Sequence, residues 1–150
     1  MMVFILAHEA PGAIAPVCAI GYTGPMRIYL WAMFVLFLVM VGNIVGITNH
    51  LYVSIDSYDI FMHIAGGLGI GLFVAAALEL HAPGVLRTRS MVIGAVLAAG
   101  IAWELFEVYY GIAGAPLGTK AYWVDTIKDL IDDTLGGFVV AFVHARFRMR

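Results

Sequence analysis

The chain has 150 residues, 63% of them hydrophobic and 12% charged, with a mean hydropathy of +0.96. Soluble domains of this size are ~25% charged and ~45–50% apolar, so the composition excludes that class and predicts an all-α polytopic membrane protein. A net charge of −2 argues against a nucleic-acid partner, and the single cysteine, Cys18, excludes an internal disulfide and a multi-cysteine metal site.

In chain order, residues 1–25 come first. They are apolar but broken by Pro11, Pro16 and Pro25, and they lack the basic start of a signal peptide. This N-terminal segment is re-entrant, interfacial or partner-binding. Residues 26–150 form the transmembrane domain. Spanning takes ~20 apolar residues, and four stretches qualify by length: 26–48, 57–80, 90–113 and 122–145. Asn43 interrupts the first and is expected to make an interhelical hydrogen bond. "HAPGVLRTRS", with Pro83 and Gly84, separates the second from the third, and the Gly/Pro-rich "GIAGAPLGTKA" separates the last two.

Arginine predicts the orientation. Arg27, Arg87, Arg89, Arg146, Arg148 and Arg150 fall on one side of a four-span arrangement, and Lys120 on the other. The positive-inside rule then places both termini in the cytoplasm, as in a multi-pass protein of a bacterial inner membrane. Glu79 is expected to pair with the nearby arginines.

The ionisable residues inside the spans carry the functional signal. Asp59 and His63 stand at i, i+4, and Glu104 and Glu107 at i, i+3. Asp125, Asp129, Asp132 and Asp133 follow i, i+4, i+7 and i+8. Each set shares one side of a helix. At 1.5 Å per residue, His63, Glu104 and Asp132 lie roughly 20–25 Å from the cytoplasmic ends of their spans. Three spans therefore bring titratable groups to a similar depth in the outer half of the bilayer. A charge facing lipid is costly, so these faces are expected to turn toward one another. A faint repeat accompanies them: "DIFMHIAGG" from Asp59 aligns with "DLIDDTLGG" from Asp129. Its glycines would let helices approach closely.

So many carboxylates in one low-dielectric niche repel each other. A proton relieves the repulsion, as does a divalent metal, and Lys128 neutralises one charge. The predicted metal ligands are His63, Glu104, Glu107, Asp129 and Asp133, a nitrogen and oxygen set suited to Zn, Mn or Mg. Asp59, Asp125, Asp132 and Lys128 are additional members. If the site is catalytic, the metal would polarise a phosphate or activate water, one glutamate would act as base, and the reach suits a lipid headgroup. No pattern singles out catalytic residues. Two other readings compete: a non-catalytic accessory subunit of a larger membrane complex, or an ion or proton transporter acting as a homo-oligomer.

"YDIFMHIAGG", "WELFE" and "WVDTIKDLIDDTLGG" together resemble the YjdF-like inner-membrane family and, more distantly, VanZ-like proteins. The resemblance covers roughly the last 95 residues. It implies an all-helical membrane bundle and points to Asp59, His63, Glu104, Glu107, Asp125, Asp129 and Asp133. The link of VanZ-like proteins to glycopeptide-antibiotic tolerance does not identify a reaction.

Overall fold

The computed structural model describes residues 23–55, 57–81 and 85–148. The N-terminal segment through residue 22, with Cys18, lies outside the described residues, as do residues 82–84 with Pro83 and Gly84, and Arg150. All regular structure among the described residues is helical: α1 (Thr23–Thr48), α2 (Leu51–Ser54), α3 (Tyr58–His81), α4 (Val85–Tyr110) and α5 (Lys120–Arg148).

The helices form because their long apolar runs carry no proline beyond Pro25 in the first turn of α1, where no intrahelical N–H is lost, and because in lipid a helix satisfies every backbone group within one segment. Their ends follow local chemistry. α4 stops at Tyr110, three residues before the end expected from hydropathy. Gly111 takes φ 67°, its N–H donates to Val108, and the N–H of Ile112 donates to Glu107 at 3.0 Å. This left-handed glycine closure satisfies the last carbonyls. α5 begins at Lys120 because the Thr119 hydroxyl accepts the N–H of Tyr122 at 3.2 Å, an N-terminal cap.

Side-chain pairings define the packing. Lys128 meets Asp59, Asp133 meets His63, and Val140 lies against Gly71, so α5 runs parallel to α3. Gly137 faces Val96 and Thr126 meets Glu104, so α4 runs antiparallel to α5. Gly69 faces Leu36 and Tyr29 stacks edge-on against Phe73, so α1 runs antiparallel to α3. α4 packs against both α3 and α5. Among the described residues, the α1 backbone packs closely on α2 and α3 but not on α4 or α5.

The α3–α5 crossing is the tightest contact. α3 buries His63, Gly67, Gly71 and Ala75 at a spacing of four, a stripe of small residues beside one histidine. At Gly67 an added Cβ would collide with the backbone carbonyl of Asp133, and at Gly136 with the carbonyl of Ile64. Two backbones in direct contact leave no room for side chains between them. Beyond the crossing, Ala75, Val92, Val140 and Ala141 form the apolar core. Large apolar side chains such as Trp31, Phe34, Leu105 and Ile131 point outward.

Three helical segments, Gly24–Thr48, Tyr58–His81 and Arg89–Tyr110, are long and apolar enough to cross a membrane. The expected fourth span does not meet that standard. α5 has 29 residues, but Asp125, Lys128, Asp129, Asp132 and Asp133 occupy its first half. The uncharged remainder before His144 is shorter than the ~20 residues a crossing takes.

Candidate cation site

The acids and the histidine singled out by the sequence collect at one end of the bundle, where the first turns of α3, the last turns of α4 and the first half of α5 lie side by side. His63 is at the centre and is buried. Its Nδ1 faces Asp133 Oδ1 at 3.3 Å. Its Nε2 faces Asp59 Oδ1 at 3.5 Å and Asp129 Oδ2 at 3.9 Å. The i, i+4 spacing brings Asp59 and His63 together on α3, and the parallel crossing brings Asp129 and Asp133 against them. Lys128 reaches over the same carboxylates from outside. Its Nζ donates to Asp59 Oδ2 and to Asp129 Oδ1, both at 2.8 Å. Asp125 stands farther out, 3.8 Å from that ammonium.

The inner oxygens of Asp59 and Asp129 therefore face His63 while their outer oxygens face Lys128. Asp59, His63 and Asp129 can each offer one ligand atom such that all three lie within 4.8 Å of one another, and His63 Nε2 stands closest to the two inner oxygens. Donors bonded to a tetrahedral metal at ~2.0–2.2 Å lie roughly 3.4 Å apart. The observed 3.5 and 3.9 Å separations are close to that value and too long for strong hydrogen bonds. Charge fits as well: Asp59, Asp129 and Asp133 balance Lys128 plus one divalent cation when His63 is neutral.

The two glutamates sit differently. Glu104 is buried between α4 and α5, where its Oε2 accepts a hydrogen bond from Thr126 Oγ1 at 2.7 Å and its Oε1 has no partner among the described residues. Glu107 accepts the Trp103 indole N–H at 2.8 Å, from its own helix. Neither belongs to the group around His63 Nε2. The i, i+3 spacing gave them one general side of α4, but that side borders two different neighbours. Asp132 is buried, its Oδ2 unpartnered among the described residues, and it is Asp133 that meets His63. Thr126 is not among the residues singled out by sequence. Its only signal is its position three and seven residues before Asp129 and Asp133, on the same flank of α5. Replacing Thr126 with valine is expected to leave Glu104 without its one hydrogen bond at Oε2, costing ~1–3 kcal/mol. Chemical denaturation of the variant in detergent measures that loss.

A cavity of about 250 Å³ opens in front of His63, between α1, α3 and α4. Asp59, His63, Asp133 and Glu107 line its polar end, with Asn43 and Tyr52 closing it. The Tyr52 hydroxyl donates to Asn43 Oδ1 at 2.9 Å, the interhelical bond expected of Asn43. Burial, and then the nearby Tyr58, Asp59 and Glu107, push the Tyr52 phenol well above its ordinary pKa, so it stays a donor. Tyr58 Oη is anchored on the Gly42 carbonyl at 2.6 Å and braces α3 against α1.

Neither a search of curated proteins nor one of solved structures returned a match. A family model described as "Predicted membrane protein (DUF2238)" matches residues 13–150, which include every described helix and every group of the site. This is the family to which the YjdF-like resemblance points; the comparisons add nothing on VanZ-like proteins. The chain belongs to the DUF2238 family of membrane proteins.

Proposed function

We propose that this membrane protein binds one divalent cation at Asp59, His63 and Asp129. The observation that carries the reading is the convergence of His63 Nε2 with one oxygen from each aspartate in a buried niche. Asp133 holds the other ring nitrogen and orients the imidazole, the role that carboxylates commonly play behind metal-bound histidines. Lys128 holds the outer oxygens and turns the inner ones toward the ion. The mixed nitrogen and oxygen donors favour Zn or Mn over Mg.

In the same reading, α5 is the fourth span. Its acids are masked by α3 and α4, and its apolar side faces lipid. The arginine-rich helix ends lie in the cytoplasm, so the cation site opens near the outer surface of a bacterial inner membrane. A metal placed there could polarise a headgroup phosphate.

Metal analysis of the full-length protein purified in mild detergent tests the assignment. About one Zn or Mn per chain is expected, with less than a tenth of that in His63→Ala. The native protein carrying no metal, and gaining no thermal stability from added Zn, Mn or Mg, would remove the reading.

A further inference from the structure

We infer that the cavity in front of His63 is a lateral lipid site for a phospholipid whose headgroup carries a primary ammonium. The inference goes beyond cation binding and does not depend on it. Three observations converge on this occupant.

The first is polarity along the cavity. Asp59 stands in the first turn of α3 and Glu107 near the end of α4, so the charged end lies at the helix termini. The opposite end is lined by Leu36, Val39, Ile70, Val96 and Ala99 and lies toward the helix middles. From Asp59 to Ile70 is roughly 17 Å along α3, about the depth of one leaflet of a ~30 Å hydrocarbon core. The gradient has the same sense as a lipid in that leaflet, with its head at the surface and its chain pointing inward.

The second is access. Among the described residues the backbones of α1 and α4 each pack on α3 but do not approach one another closely. The cavity therefore lies in a cleft between α1 and α4 through which a chain can enter sideways. At about 250 Å³ it is smaller than the ~300–1,000 Å³ of a site that encloses a whole small molecule. It can take a head and the start of one chain, leaving the rest in the bilayer.

The third is charge. Three carboxylates face the cavity, from Asp59, Asp133 and Glu107, and His63 is the sole basic group in the lining. The Trp103 indole and the Tyr52 hydroxyl are committed to Glu107 and Asn43, which leaves the Asn43 amide N–H groups as the neutral donors beside three carboxylates. Lys128, outside the lining, offsets part of this charge through Asp59 and Asp129. Asp59, Asp129, Asp133 and Glu107 together still outnumber the positive charges, and with a divalent ion at His63 the excess is the carboxylate of Glu107. An ammonium supplies both the donors and the missing positive charge, whereas an anionic or purely hydroxylated head supplies no compensating charge.

The experiment is native mass spectrometry of the full chain in detergent, challenged with equal amounts of phosphatidylethanolamine and phosphatidylglycerol with identical acyl chains. Phosphatidylethanolamine is expected to be retained at least tenfold over phosphatidylglycerol. Ala99→Phe and Val39→Phe, which fill the apolar end, should each reduce its retention about tenfold. Glu107→Gln, which keeps the shape and removes a charge, should narrow the preference between the two lipids. Circular dichroism and melting curves identify which variants fold. Equal retention of both lipids, or undiminished retention in folded cavity-filling variants, overturns the proposal. Metal content measured on the same samples separates the two readings. Lipid selectivity without metal sustains this one alone, and metal without lipid selectivity defeats it while leaving cation binding intact.

Discussion

Gly67→Ala and Gly136→Ala are each expected to destabilise the protein by more than ~3 kcal/mol, the upper end of the usual cost of overpacking. The reason is the identity of the obstructing atoms. At both positions a Cβ would run into backbone of the facing helix, and backbone cannot rotate away as a side chain does. Relief requires α3 and α5 to separate, which pulls Asp129 and Asp133 away from His63 as well. Gly94 provides the control on a neighbouring helix. It has nothing within 4 Å of an added Cβ, so Gly94→Ala should be neutral or stabilising by up to ~1 kcal/mol through helix propensity. Unfolding titrations of the three variants in detergent make the comparison. If Gly67→Ala melted like Gly94→Ala, the close crossing of α3 and α5 would have to be abandoned.

The second large effect concerns Lys128. Its ammonium binds Asp59 and Asp129 at 2.8 Å each and is the one cation within salt-bridge reach of both outer oxygens among the described residues. Without it, the carboxylates around His63 repel one another across a niche in which Asp129 is only 3% exposed. Fully buried pairs cost ~3–5 kcal/mol when one partner is removed, and exposed pairs ~0–1 kcal/mol. The Lys128 side chain is 40% exposed, so Lys128→Met should lose an intermediate ~1–3 kcal/mol. The deficit should shrink when Zn or Mn is supplied, because a divalent ion at the inner oxygens takes over the neutralisation. Melting curves of wild type and Lys128→Met, in chelator and in metal, read both parts. A loss of stability that metal leaves untouched would point to a purely structural ion pair, and no loss at all would mean that the lysine does not engage the acids.

Some of this organisation can be read along the chain and some cannot. Asp59 and His63 are four residues apart on one helix, so local geometry alone places them together, and they are. The Asp-rich start of α5 likewise reads as a face that must be masked, because charges facing lipid are too costly. The parallel register of α3 and α5 is foreshadowed by the aligned Gly-Gly pairs, Gly66-Gly67 and Gly136-Gly137. The glutamates are different. Their i, i+3 spacing says that Glu104 and Glu107 share a side of α4, but α4 lies beside both α5 and the cavity. Small rotations therefore send Glu104 to Thr126 and Glu107 toward the cavity. Hydropathy counting also overran the end of α4, since residues 111–113 are apolar enough to extend it, while a glycine with positive φ ends it.

The sequence by itself determined that the protein is helical and membrane-bound, and that its acids and histidine sit on helix faces near one end. Those properties depend on periodicity and transfer free energy, which act residue by residue. Only the tertiary structure decided that Asp59 and Asp129, rather than the glutamates, share His63 Nε2, and that Asp133 rather than Asp132 meets the other ring nitrogen. Adjacent residues on a helix point ~100° apart, so the helix rotation that selects between them is fixed by the glycine contact of α3 with α5. That contact is made by residues distant in the chain, and no local pattern specifies its angle.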